Sequence, residues 1–190
     1  MASAPSLVDR HRASNYCPAT RDRWTKAFPE IVRAIATLPN GVFDAELIVP
    51  DSAGRSDFGE LQRRSLMRRL PTIDDAAVRR PAALIVFDVL QAGRVDMRPL
   101  PLSKRKAWLQ ANVRPGARLK VIEGVETHGE ALFAAIVDQD FEGIVGKKLD
   151  SPYLAGRQAS WQKIKNPEFS RDEAQARASS GDSGCSRQTS

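Results

Sequence analysis

The sequence predicts a mixed α and β fold, because segments whose apolar residues recur at helical spacing alternate with short runs of strand character. Composition sets the scale. The 190 residues are 42% hydrophobic and 27% charged, the balance of a compact folded body, and that length holds one ordinary core with little room for another. A continuous apolar run, Ala83-Leu84-Ile85-Val86-Phe87, reads as a strand covered on both faces, whose neighbours should be sheet partners.

In chain order, residues 1–23 are small, polar and aperiodic, interrupted by Pro5 and Pro18, and are expected to be poorly ordered. Phe28, Ile31, Ile35 and Leu38 recur at helical spacing and predict a helix over 26–38, with Pro29 tolerable in its first turn and Pro39-Asn40-Gly41 as its stop. Val42 to Val49 alternates as a strand and points Asp44 and Glu46 the same way. A helix over 58–70 follows, its arginines (Arg63, Arg64, Arg68, Arg69) expected in solvent, and Arg79-Arg80-Pro81 closes the loop behind it. After the buried run, Pro101-Leu102-Ser103 opens a basic helix to about Val113. Arg118 to Ile122 reads as a strand and Glu130 to Val137 as a helix with Leu132/Ile136 and Phe133/Val137 pairs. Gly143 to Lys147 and Trp161 to Lys165 are two more strands, separated by the Ser151-Pro152-Tyr153 turn and a Gly156-Arg157 loop. Residues 170–190 collapse into Ser, Gly, Arg and Gln, a disordered tail.

Several function classes recede on composition alone. No apolar stretch approaches the roughly 18 to 20 residues of a membrane span, and Met1 to Arg12 has no signal-peptide core, so a cytoplasmic location is expected. Cys17 and Cys185 lie far apart among polar residues, which suits free thiols and neither a disulfide framework nor a zinc cage. Lys and Arg number 29 against 23 acids, a net charge of +6, and the sequence pI is near 9.7. That excess suits a partner carrying phosphates. Aromatic residues, at 6%, are too sparse for a single-strand stacking platform.

Four segments set polar groups into apolar strands. Asp44 and Glu46 could bind a hard cation or accept from a ribose hydroxyl, or simply face solvent. Phe87-Asp88 ends the buried run where a ring could meet a flat ligand such as a purine, or could be an ordinary core phenylalanine. Around Glu142 to Lys148 an acid enters a strand and two lysines leave it, as an anionic ligand with its metal would require, or as a surface ion-paired strand would show. Alternation places Trp161, Lys163 and Lys165 on one face, where two ammonium groups match a polyphosphate or merely snorkel from a sheet edge.

Taken in order, these segments resemble the adenylation domain of ATP-dependent DNA ligases, most closely the bacterial end-joining type called ligase D, over about Trp24 to Phe169. That family's Asp-Gly-Glu strand and Phe-x-x-Leu-Gln-x-Arg helix correspond to Asp44-Ala45-Glu46 and Phe58 to Arg64. Its Phe-Asp, Pro-Leu-x-x-Arg, Glu-Gly-x-Val-x-Lys and Trp-x-Lys-x-Lys motifs correspond to Phe87-Asp88, Pro101 to Arg105, Glu142 to Lys147 and Trp161 to Lys165. Leu149 to Tyr153 and Gly156-Arg157 look like the same subgroup. The resemblance implies an α+β fold, an ATP-grasp-like nucleotidyltransferase domain with mainly antiparallel sheets flanked by helices, incomplete at the N-terminus. It implies a partial adenylation domain over 24–169 with ATP and Mg2+ as cofactors. Glu46 would contact the ribose or metal side, Phe87 would stack on adenine, Lys163 and Lys165 would grip phosphates, and Glu142 with Glu46 would hold magnesium. The implied partner is nicked or broken duplex DNA, with a Ku-like end-binding protein as a further possibility.

Departures from the family pattern qualify the activity expected. The family's attacking lysine lies in a Lys-x-Asp-Gly motif, and this sequence contains none. Pro18-Ala19-Thr20-Arg21 stands where relatives carry a Ser-Arg-Asn-Gly turn, and Ala45 replaces a glycine. Residues after Phe169 are too few for the family's OB-fold. The expected protein is therefore a truncated ligase-family protein unable to self-adenylate alone. The alternative is a non-catalytic basic module that binds DNA or a repair partner, and an RNA ligase or capping-type transferase ranks below both.

Overall fold

The computed structural model describes residues 6–9, 24–154 and 160–169. Cys17, Cys185, the Gly156-Arg157 loop, the tail and most of the N-terminal segment lie outside the described residues. Within the segment expected to lack order, Ser6–Asp9 forms strand β1 and pairs antiparallel with β2 (Gly41–Ile48).

A helical turn over 24–27 leads into α1 (Pro29–Ile35). Its apolar repeat is the one read from the sequence: Phe28, Ile31, Ile35 and Leu38 are all buried, and Trp24 stacks on Phe28 with ring centroids 5.4 Å apart. The helix stops earlier than expected because Thr37 and Leu38 bond back three residues, to Ala34 and Ile35, tightening its end into a turn.

The main sheet has five strands. Strand β2 pairs antiparallel with β3 (Ala83–Ala92), which turns at Gly93, φ +58°, into the short β4 (Val95–Asp96). The buried run thus continues five residues beyond its expected end, because Asp88 and Gln91 find partners within the fold. Helix α4 (Leu102–Asn112) packs along β3 and delivers the chain to β5 (Leu119–Val121), which runs parallel to β3. The sheets are mainly antiparallel, as expected, with β3–β5 the one parallel pairing among the described strands: a helical crossover returns the chain to the starting end, so the next strand points the same way.

The segment after β2 departs furthest from expectation. Helix α2 (Phe58–Ser65), capped by the Asp57 carboxylate on the Glu60 amide, ends at Leu66, and a second helix, α3 (Leu70–Arg79), replaces the expected loop with Pro71 in its first turn. Arg64 is not solvated. Its guanidinium is fully buried, paired with Glu30 at 2.5 Å, donating to the carbonyls of Ala27 and Arg80 and lying over the Phe28 ring. Glu30 also accepts from the Ala82 amide, so one ion pair ties α1, α2 and the start of β3 together.

A second, two-stranded sheet is built from β6 (Gly143–Lys147) and β7 (Trp161–Lys165), with the bounds the sequence predicts. Helix α5 (Gly129–Asp138) packs on β6 through a face that includes half-buried Leu132, Phe133, Ile136 and Val137. The loop leaving β6 is laced to the start of α4, where Leu102 and Ser103 amides donate to Ser151 and Leu149. This lacing brings the small sheet beside the large one.

Candidate functional site

The site begins at an irregularity in the β2–β3 ladder. Asp44 opposes Asp88 but Ala45 opposes Val86, so Phe87 is the extra residue left unpaired. Such bulges re-aim a side chain at the cost of one ladder position, and here the half-buried Phe87 is the residue concerned. Alternation in the sequence did not anticipate the bulge, since it arises between two strands. Ala45 is buried with no left-handed φ, so the alanine in the place of the family's glycine carries no backbone strain.

Beside Phe87, Asp88 is fully buried against the equally buried Arg105, which forks both carboxylate oxygens at 2.7 and 2.9 Å. Arg105 also donates to the carbonyls of Leu100 and Ser151 and lies 5.8 Å from the Tyr153 ring centroid. Tyr153 in turn donates its hydroxyl to Asp44 at 2.9 Å. Strands β2 and β3 are thereby fastened to the loop that leaves β6.

Across this junction Lys147, at the end of β6, places its ammonium 4.5 Å from the Phe87 ring centroid and 3.9 Å from that of Trp161. Tyr153 meets Trp161 edge to face at 5.6 Å. In the β6–β7 ladder Lys147 opposes Trp161, Val145 opposes Lys163 and Gly143 opposes Lys165, so the three lysines and Trp161 share one face of the hairpin. Gly143 lies at φ +150°, and a Cβ there would sit 2.2 Å from the Ile164 carbonyl oxygen. Only glycine permits that approach after Glu142.

The five residues singled out from the sequence are therefore distributed as follows. Phe87 reaches the hairpin through Lys147. Lys163 is exposed and ion-paired with Glu142 at 2.8 Å, and Lys165 is exposed on the same strand. Glu46 is half-buried on β2 and pairs with Ile85, two positions from Phe87. Sequence reasoning missed the roles of Asp44, Arg105, Lys147 and Tyr153; acids inside apolar strands were the signal, but their partners lie 17 and 109 positions away.

Burial governs the charges. Asp44 is raised from 3.8 to about 6, chiefly by desolvation and against the Tyr153 hydrogen bond, and its Oδ1 has no partner among the described residues. Desolvation first, then the Asp44 charge, raises Tyr153. Lys147 is lowered from 10.5 to about 8, again mainly by burial. For Asp44 the folded state holds its proton more tightly than the unfolded chain, so its contribution to stability is fully present below pH 3.8 and is lost as pH rises through about 6. Replacing Asp44 by asparagine keeps an acceptor for Tyr153 and should remove on the order of 2–3 kcal/mol of that pH dependence, read as a flattened profile of urea midpoints between pH 4 and 7.

Among the described residues no three His, Cys, Asp or Glu side chains cluster as a metal cage, and no helix is long and apolar enough to cross a membrane. Magnesium in nucleotide sites needs only one or two carboxylates besides phosphate and water; Glu46 lies on β2 and Glu142 immediately before β6.

Comparison with known proteins gives this arrangement a family. The model of the ATP dependent DNA ligase domain matches residues 12–165. A probable DNA ligase of Beutenbergia cavernae is 36% identical over 148 residues, 76% of this chain and 28% of its own length. The bifunctional non-homologous end joining protein LigD of Bacillus subtilis is 30% identical over 162 residues, 75% of this chain and 26% of its own. The chain thus spans under a third of the length of these relatives. Among solved structures, the ligase domain of LigD from M. tuberculosis superposes with a TM-score of 0.57 at 28% identity, covering 72% of this chain and 42% of that one. A mycobacterial DNA ligase D complexed with ATP and MES gives 0.52 at 28% identity, covering 66% and 38%. With residues 12–165 matched by the family model and the fold superposing on the ligase domain, this chain belongs to the ATP-dependent DNA ligase family.

Proposed function

We propose that this chain supplies the nucleotide-binding part of an ATP-dependent ligase acting on nicked or broken duplex DNA in repair and recombination. The observation that carries the reading is the junction of the Phe87 bulge with the lysine-bearing face of the β6–β7 hairpin, through Lys147. Phe87 would stack on adenine, Lys163 and Lys165 would hold the phosphates, Glu46 would reach the ribose or metal side, and Glu142 with Glu46 would hold magnesium. When bound, magnesium offsets charge on the transferring phosphoryl group. Lys163 must exchange Glu142 for phosphate, which frees the Glu142 carboxylate for the metal at the same moment. The sequence contains no Lys-x-Asp-Gly, so AMP transfer to this chain by the family's route is not expected.

Thermal unfolding tests the pocket. ATP with magnesium at a hundredfold excess over Kd should stabilise the fold by about 2.7 kcal/mol, with GTP much less effective; equal protection by GTP, or none from either, would refute the assignment. Incubation with labelled ATP should leave no AMP adduct surviving denaturation.

A second reading, a basic DNA- or partner-binding module of the same ancestry, is favoured by one specific observation, the missing attacking lysine. In that case binding to duplex DNA should weaken steeply with salt and be indifferent to ATP. A Ku-like partner would bind the same basic chain and is sought by co-sedimentation. The cytoplasmic, nucleoid-associated location belongs to the same proposal.

A further inference from the structure

One face of the Phe87 ring is covered by a cation. Lys147 projects its ammonium over that ring at 4.5 Å and over Trp161 at 3.9 Å, and the edge-to-face contact with Tyr153 holds Trp161 in place. Rings attract a cation through their negative faces, most strongly when water is excluded. Among the described residues Lys147 has no salt-bridge partner, unlike Lys163, which Glu142 binds at 2.8 Å. The two rings are thus its nearest compensation, with the Asp88 and Asp44 carboxylates attracting it from further off.

A base that stacks on that face of Phe87 must take the place of this ammonium, which then needs an anion or water. Asp88 and Asp44 attract it without forming an ion pair, and of their oxygens only Oδ1 of Asp44 lacks a hydrogen-bond partner among the described residues. Both oxygens of Asp88 are forked by Arg105, Asp44 accepts from Tyr153 through Oδ2, and Arg105 and Lys106 are cations that repel it. A phosphate carried by the incoming ligand supplies the missing anion on the same face as Lys163 and Lys165. An uncharged nucleoside brings no such group.

Resting on the nucleotide reading above, we propose that Lys147 is a specificity-determining residue that holds the Phe87 platform against uncharged nucleosides and yields it to nucleotides, whose phosphates receive the displaced ammonium. Base stacking and phosphate recognition are thereby coupled through one side chain. Partial burial of the ammonium against the rings, which lowers Lys147 to about 8, fits a cation held partly out of water.

Dissociation constants for adenosine, AMP and ATP, measured by titration calorimetry on the chain and on K147M, K147Q and K147R, test the coupling. The unsubstituted chain should bind AMP at least about tenfold more tightly than adenosine, since a charge-assisted contact is gained with the phosphate. In K147M and K147Q, adenosine should tighten by about fivefold because no cation has to leave the rings. ATP should weaken by about tenfold, so the preference for ATP over adenosine falls by about fiftyfold. Arginine keeps the cation and should keep the preference. An unchanged preference in folded K147M or K147Q, with ATP still bound, would overturn the proposal; the ammonium moving to Asp44 Oδ1 instead of phosphate gives that same result. Equal affinity for AMP and adenosine in the unsubstituted chain overturns it without any variant. Absence of all nucleotide binding would instead defeat the underlying nucleotide reading and this inference together.

Discussion

Replacement of Arg105 by methionine is expected to lower stability by about 3–5 kcal/mol. The variant leaves Asp88 buried and charged without its ion-pair partner, keeping the Val89 amide at 2.8 Å and only the more distant cations Lys147 and Lys106. It also abandons the carbonyls of Leu100 and Ser151. Lysine should not rescue it, because a point ammonium cannot fork two carboxylate oxygens and two carbonyls at once. The paired replacement of Arg105 by methionine and Asp88 by leucine should be much less damaging than either alone, since no unpaired charge remains. Urea denaturation of the four proteins gives the coupling directly. A cycle with coupling under about 0.5 kcal/mol would show that the pair holds nothing together. Since Arg105 fastens both β3, next to Phe87, and the loop leaving β6, next to Lys147, the single variant should also lose ATP protection under conditions where it remains folded.

The double replacement of Lys163 and Lys165 by alanine is expected to weaken ATP binding by at least about a hundredfold, taking roughly 1.5–3 kcal/mol for each hydrogen bond to a charged group. The two lysines should not contribute equally. Lys163 starts from an ion pair with Glu142, so part of its gain on meeting phosphate is offset by the contact it gives up. Lys165 therefore carries the larger single effect. Glu142→Gln frees Lys163 and should tighten nucleotide binding without magnesium while weakening the magnesium-dependent part. Calorimetry with and without the metal separates the two. Equal, small effects from both lysines would place the phosphates elsewhere. Neither substitution should alter unfolding midpoints appreciably, because both side chains are exposed.

Where the sequence could be read, it was read through local periodicity. The strands Gly143–Lys147 and Trp161–Lys165 and the buried face of α1 follow from the spacing of their own apolar residues, and the common face of Trp161, Lys163 and Lys165 follows from strand alternation. The reading failed where a distant partner decides the outcome. Arg64 looked like any solvent-facing helix arginine, yet Glu30, 34 positions earlier, draws it fully inside. Helix α3 was read as a loop because its exposed Leu70 and Val78 blur the amphipathic repeat that Ile73 and Ala76 bury. The strand β3 outran its apolar run because Asp88 is neutralised from α4. The parallel placement of β5 depends on where α4 returns the chain, a property of the crossover and not of Leu119 to Val121 themselves.

By itself the sequence determined the ordered motifs, the basic balance, the absence of Lys-x-Asp-Gly from its 190 residues and the strand faces that line up Lys163 with Lys165. Only the tertiary structure decided that Phe87 stands at a bulge, that Arg105 and Tyr153 bind the two sheets through buried acids, and that Lys147 rests on the rings. The division has a physical cause. Side-chain periodicity is a property of the local backbone and is written within a few residues, whereas compensation of a buried charge depends on which groups the folded chain brings within hydrogen-bonding reach, and those are separated along the chain by tens of residues.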